Sequence, residues 1–415
     1  MKTPFLRKKV YLAAGYNTIS MGTGRKEFNP RKERPALEDY IREAGQGTLA
    51  QIADAGLIDE CVISNFMASG YNRQSNLAAF FPMIDLKLKH KPAIRVEGAC
   101  GSGGLAIVTG IKSILSENAD VVLVLGVEVQ NSVKAVYGAD ILATAGWSKN
   151  RKNGHAHFFP GQFSDRAGTY YQKYGKEHTR KSYAQWYANM IENARLCPTA
   201  QEFHNTLENP FQTHLTAEPN GKFFVDHLNL YDCSKVSDGA SAALICSEKG
   251  IEKLGIAKQN AVEVVSFATL ADDLTQKPEI PTELSNFKLA ANKALTAAGI
   301  TMNEIATAEI HDCFTAAAVL AVEALGLASE GKGGHFILDG HTSRNGKIPL
   351  NTTGGLIGWG HPVGATGVHM AVTLWEQMTG RALKSQIRIE KPYGLMVNMG
   401  GDDRTLASIV FRKSV

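Results

Sequence analysis

Twice in this chain an apolar, strand-like run leads into a glycine-rich turn that opens a helix. The first instance is RVEGACGSGGLAI (95–107) and the second is NTTGGLIGWGHPVGATGVHMAVTLWEQM (351–378). Around them, short β-branched runs alternate with segments whose apolar residues recur at helical spacing, which points to an α/β fold. The strand-like runs are 10–14, 61–66, 93–97, 121–126, 242–247, 263–270, 306–311, 395–399 and 406–412. Helical periodicity is plainest in LEDYIREAGQGTLAQIADAG (37–56) and FKLAANKALTAAG (287–299). The shared order of glycine turn, helix and later strand suggests a duplicated unit.

The segment 130–235 breaks this alternation. It is rich in Lys, Arg, Tyr, Gln and Asn and reads as a partly helical insertion. The expected boundaries are an N-terminal half at 1–129, the insertion at 130–235, a return to the first half at 236–260, and a C-terminal half at 261–415. A formal charge of +4 on 415 residues is too mild for a nucleic-acid footprint, yet leaves room for a local basic surface facing an anionic ligand. The longest apolar run, VVLVLGV (121–127), is too short to span a bilayer, so no membrane insertion is expected. The N-terminus lacks the long apolar stretch of a secretory signal, and FRKSV is not a peroxisomal address. Six scattered cysteines with no C-x-x-C suit free thiols in a reducing compartment. A soluble, cytoplasmic protein is the expectation.

Cys100 admits three readings. GSGGLA (101–106) fits a dinucleotide fingerprint, with Glu128 near the place of a ribose-binding acid, but this gives Cys100 no role. Cys100 could also be a small buried residue. As a nucleophile it would gain from a helix start, whose N–H groups favour thiolate and can stabilise an oxyanion. A cysteine nucleophile needs a base, and His361, set in the glycine-dense turn WGHPVGATG, is the candidate. His311 and Cys313 emerge together where a strand gives way to a helix in EIHDCFTAAAVLAVEALGL (309–327); Asp312 or Thr315 could instead simply cap that helix. HAH (155–157) lacks a second ligand pair at zinc-finger spacing, so no metal is expected.

Together these motifs resemble the thiolase superfamily along nearly the whole chain. Cys100-Gly101-Ser102 matches the family's nucleophile motif, and Gly360-His361-Pro362 its G-H-P loop. Asn351, Gly354, Gly355, Gly364, Thr366 and Gly367 fit the longer pattern around that loop, and SDGASAALICSE (237–248) looks like the stretch closing the loop domain. Two departures mark the branch. Most thiolases have N-E-A-F where this chain has His311-Asp312-Cys313-Phe314, and a cysteine where it has Asn398 in Asn398-Met399-Gly400. The H-D-C-F form looks like the sterol-carrier-protein-associated thiolases and their bacterial and archaeal relatives, with no sterol-carrier domain expected after the last strand.

The resemblance implies a duplicated, five-layered α/β/α/β/α core with an inserted loop domain. It also implies a homodimer or dimer of dimers, with assembly into complexes with other enzymes of coenzyme A metabolism open. No cofactor is implied; acyl-CoA, acetyl-CoA and CoA are substrates, contacted within 130–235, where Lys, Arg and Tyr over 149–186 would form a basic, aromatic lid. Cys100 would be acylated with His361 as base, and Cys313 would act as acid/base. His311 and His361 would face one thioester oxygen, and the N–H groups of Cys100 and Gly400 another. The implied activity is acyl-CoA C-acyltransfer: Claisen condensation or thiolysis of 3-oxoacyl-CoA. A condensing enzyme with a malonyl or carrier-protein donor and a non-catalytic acyl-CoA-binding protein are the alternatives.

Overall fold

The computed structural model describes residues 5–150 and 157–414. Nine strands form: β1 Val10–Asn17, β2 Glu60–Ser64, β3 Ala93–Val96, β4 Val121–Val129, β5 Asp238–Ser247, β6 Val262–Ala271, β7 Ile305–Ile310, β8 Tyr393–Gly400 and β9 Thr405–Lys413. Every strand-like run named from the sequence became one of them. The principal helices are α1 Leu37–Leu49, α2 Ser102–Leu115, α3 Phe158–Tyr174, α4 Lys176–Ala194, α5 Ser285–Ala298, α6 Thr315–Ala324 and α7 Thr366–Thr379.

The strands lie in the order β3-β2-β4-β5-β1-β6-β9-β8-β7. In the first half β2 and β4 are parallel, and β4–β5 and β5–β1 are antiparallel. The second half repeats this with β7 and β8 parallel, then β8–β9 and β9–β6 antiparallel. β3 has no full counterpart among the described residues. A single parallel bridge, Ala308↔Leu350, marks its place just before Asn351, as β3 stands before Cys100. The expected duplication is therefore written in the topology.

The halves join where β1 pairs with β6, Val10 opposite Val264, so the nine strands form one continuous mixed sheet. Helices α2 and α7 pack between the halves, touching β4 and β5 on one side and β8 on the other. α1 covers the outer side of the first half and α5 that of the second, giving the five layers. A layer covered on both faces must be apolar throughout: VVLVLGVEV of β4 is buried at every position.

Glycines decide how closely the central helices meet. A Cβ on Gly103 of α2 would lie 2.5 Å from the Gly367 nitrogen of α7, and one on Gly367 would lie 2.1 Å from the Gly104 nitrogen. The two helix starts thus touch backbone to backbone, which brings the turns before them together. Gly103→Ala is expected to lower unfolding stability by about 1–3 kcal/mol, measurable by urea denaturation.

The insertion corrects one expectation. Tyr170, Tyr171, Tyr183, Trp186, Arg166 and Arg180 are buried, so much of the basic and aromatic content of 149–186 builds the packing of α3 and α4. Arg166 Nε donates to Asp402 Oδ1 at 2.8 Å, and Arg180 donates to the Leu215 and Ala217 carbonyls. Lys173 and Lys181 are exposed but paired with Glu330 and Glu177. Residues 151–156, including His155 of the HAH motif, lie outside the described residues. Among the described residues, no helix is long and apolar enough to cross a membrane.

Candidate active site

Cys100 sits in a single 3₁₀ turn, Ala99–Gly101, between β3 and α2. Ala99 has φ +52°, a left-handed conformation unfavourable for any residue with a Cβ. Ser102 clamps the turn, accepting from the Gly98 N–H at 2.9 Å and donating to the Ala99 carbonyl at 2.6 Å. The gain in thiolate that a helix start would give is opposed here by burial. Burial pushes the Cys100 thiol up to about 12, outweighing the N–H of Gly401 that faces it. One N–H at the helix start is already taken, since Gly104 donates to Asn398 Oδ1 at 3.0 Å. Alkylation of Cys100 by iodoacetamide in the free enzyme should therefore rise about tenfold per pH unit from 6 to 9, because a thiol below its pKa gains thiolate at that rate. A plateau near neutrality would reveal a standing thiolate instead.

His361 is held by its backbone. Gly360 has φ +117°, and a Cβ there would lie 2.2 Å from Ser20 Oγ, so only glycine fits. The His361 N–H donates to Ser237 Oγ at 2.9 Å, and its carbonyl accepts from Gln130 Nε2 at 2.8 Å. Its Nδ1 lies 2.7 Å from Thr366 Oγ1, which also meets the Pro362 carbonyl at 3.1 Å. Thr366 has one hydroxyl proton and a carbonyl can only accept. Both contacts are satisfied when Thr366 donates to Pro362 and His361 Nδ1–H donates to Thr366. Nε2 is then the bare nitrogen, and it is buried with no partner. Burial lowers the His361 pKa to about 3, so the ring is neutral and its Nε2 lone pair is free to accept.

His311 takes the opposite tautomer. Asn398 Oδ1 is fixed by the Gly104 N–H, so its Nδ2 faces both the Cys100 carbonyl (3.0 Å) and His311 Nδ1 (3.1 Å). An amide NH₂ can only donate, so His311 Nδ1 accepts and its proton sits on Nε2. Burial, then the neighbouring His361, hold His311 far below the ordinary histidine range. The sulfur of Cys100 and one ring nitrogen from each histidine lie within 4.8 Å of one another. A thiol and two imidazoles are also a zinc-type donor set, but Asn398 occupies His311 Nδ1 and thereby keeps the ring proton on Nε2. The arrangement offers a base and a hydrogen-bond donor around a thiol. Asn398→Asp should reverse the His311 tautomer and remove that donor, lowering kcat about 10²–10³-fold in a steady-state acyl-transfer assay.

Cys313 lies beside this group in the core. Burial, then Cys100, Asp312 and Asp402, hold its thiol well above the usual cysteine range. Asp312 does not cap α6. It accepts from Trp186 Nε1 at 3.0 Å and the Leu356 N–H at 2.8 Å, tying α4 to the turn after Asn351. Thr315 likewise donates to Asp232. Gly400 packs against the Cys100 turn, where a Cβ would lie 2.2 Å from the Gly98 carbonyl. It is the next N–H, of Gly401, that faces the thiol.

Glu128 is no ribose ligand. It is fully buried and accepts from Asn65 Nδ2 and the N–H groups of Phe66, Met67 and Gly364 at 2.8–3.2 Å. It thereby fastens the His361 loop to the first half. The space a pyrophosphate would need at Gly103 is filled by α7, which removes the dinucleotide reading.

Comparison with known proteins identifies the family. Residues 26–249 match the family model described as thiolase, N-terminal domain, and 268–413 match thiolase C-terminal domain-like. An acetyl-CoA acetyltransferase of Methanothermobacter thermautotrophicus is 32% identical over 388 residues, covering 91% of this chain and 95% of that protein. Human sterol carrier protein 2 is 31% identical over 375 residues, covering 84% of this chain and 63% of that protein. A solved Ltp2-ChsH2(DUF35) aldolase shares the fold, with a TM-score of 0.77 at 19% identity over 98% of both chains. With both halves matched by its models, the chain belongs to the thiolase superfamily.

Proposed function

We propose that this chain is an acyl-CoA C-acyltransferase that forms an acyl-enzyme on Cys100. The observation that carries this reading is the convergence of the Cys100 thiol, the bare Nε2 of His361 and the neutral His311. In the first half-reaction His361 Nε2 takes the Cys100 proton as sulfur attacks the thioester carbon. The oxyanion is met by backbone N–H groups of Cys100 and the Gly400–Gly401 turn. The C–S bond to CoA breaks, and Cys313 gives its proton to the departing thiolate. In the second, the Cys313 thiolate takes a proton from the α-carbon of another acyl-CoA. The enolate oxygen is met by His311 Nε2–H and the protonated His361. The enolate carbon attacks the acyl group, and Cys100 leaves and recovers its proton from His361. A thiol pKa raised by burial makes Cys313 a strong base once it has lost its proton.

CoA would approach along residues 233–236, where the insertion returns to the first half beside the site. Ser234 N–H donates to the Cys313 carbonyl, and Val236 bridges His361.

One observation favours a second reading. A cysteine flanked by two histidines also suits a condensing enzyme that decarboxylates a malonyl donor, which needs no second thiol. Thiolysis of 3-oxoacyl-CoAs of graded length, run beside condensation with acetyl-CoA and with malonyl-CoA, tests both. Thiolysis and acetyl-CoA condensation support the proposal; strict dependence on malonyl-CoA supports the rival.

A further inference from the structure

Residues 232–237 run as a strap between Cys313 and His361. Cys233 pairs antiparallel with Phe314, and the Ser234 N–H donates to the Cys313 carbonyl at 2.9 Å. The Lys235 N–H donates to the Leu356 carbonyl at 3.3 Å, and Val236 pairs with His361. The far end is Ser237, whose Oγ accepts the His361 N–H at 2.9 Å. The near end is Asp232, whose fully buried carboxylate takes donors from three segments. The Asn229 N–H reaches Oδ2 at 2.7 Å within the turn that leads into the strap. Oδ1 accepts from the Thr315 hydroxyl at 2.5 Å, at the first residue of α6. It also accepts from His214 Nε2 at 2.7 Å, on the short helix Pro210–Thr216. His214 and Thr315 are as fully buried as Asp232, and neither half-reaction uses any of the three. Apolar side chains of similar volume often pack as stably as a buried charged pair. What this hub adds is direction, because each donor has to meet its own lone pair.

We infer that Thr315, Asp232 and His214 are positioning residues for Cys313: they fasten the strap to the start of α6 and so hold the Cys313 thiol in register with His361 and with the α-carbon it deprotonates. The inference rests on the acyltransferase reading and goes beyond it. It gives a task in the second half-reaction to His214, a side chain of the insertion enclosed beside Tyr187 and Tyr231. Acylation draws on other supports. Ser102 and Asn398 hold the Cys100 turn, and His361 keeps Thr366, Gln130 and Ser237. Loss of the hub should therefore fall on proton removal from carbon and spare acylation.

The test uses Thr315→Val, which keeps the shape and removes the hydroxyl, Thr315→Ser, which restores it, and His214→Phe, which removes the other donor. Each full-length protein is incubated with acetyl-CoA in deuterated water. Acetyl on Cys100 counts the competent chains, and deuterium entering the acetyl-CoA methyl group is expressed per acetylated chain. Misfolded molecules carry no acetyl group and drop out of that ratio. Thr315→Val and His214→Phe should acylate Cys100 and lose about 10–100-fold in exchange per acetylated chain, the scale of a displaced reacting group. Thr315→Ser should exchange at close to the wild-type rate. Wild-type exchange in both Thr315→Val and His214→Phe overturns the inference, as does a Thr315→Ser that fails with Thr315→Val. Loss of acylation in Thr315→Val and His214→Phe also overturns it, since the hub would then support the whole site. If the wild type takes no acetyl group on Cys100, the acyltransferase reading falls; if it does and the variants match it in exchange, this inference alone falls.

Discussion

Cys100→Ala is expected to lose acyl transfer by a factor on the order of 10⁶, the scale seen when a covalent nucleophile is removed. Nothing else near the site can replace it. His361 offers a base at Nε2, His311 a donor, and Cys313 a thiol that burial, Cys100 and nearby carboxylates keep protonated. The variant should fold, since Cys100 is half-buried and loses one sulfur from a turn held by Ser102 and Asn398. The measurement is single-turnover transfer from acetyl-CoA, with circular dichroism to confirm the fold. Activity within tenfold of wild type would mean that the acyl group never rests on this sulfur.

Cys313→Ala should separate the two half-reactions. Acylation of Cys100 draws on His361 and backbone N–H groups, and in water the departing CoA thiolate can take its proton from solvent. α-Proton removal has no such substitute, because Asn398 is an amide engaged on both sides. Acyl-enzyme should still form, while α-proton exchange, condensation and thiolysis fall about 10²–10⁴-fold. Normal turnover would move the proton shuttle to His311. Loss of acylation as well would make Cys313 a support for the site. Retained condensation with malonyl-CoA alone would favour the decarboxylative reading.

The parts legible in the sequence are those encoded by neighbours along the chain. The nine strands stood out because each is a short β-branched run, and the buried β4 shows its burial as an unbroken apolar string. Cys100 and His361 stood out because the glycines around them serve close backbone approach. Asn398 did not. It reads as the absence of a familiar cysteine, yet it fixes the tautomer of His311, 87 residues away, and holds the Cys100 carbonyl 298 residues away. Glu128 misled for the same reason: its position after an apolar strand suggests a ligand, and its four donors come from distant segments. The gain in thiolate at the helix start is outweighed in magnitude. A helix start stabilises an anion by a fraction of a kcal/mol to about 2 kcal/mol, while desolvation of a thiol among apolar side chains moves its pKa by several units. In the insertion, Arg and Tyr counted as surface by composition, but Arg166 and Arg180 are enclosed by acceptors that no local pattern announces.

The most direct test of the central claim is to incubate the protein with acetyl-CoA alone, quench in acid and map the peptides by mass. The account predicts one acetyl group per chain, on the peptide containing Cys100 and absent in Cys100→Ala. Acetyl found on another residue, or no covalent acyl-enzyme at all while acyl transfer proceeds, would contradict it.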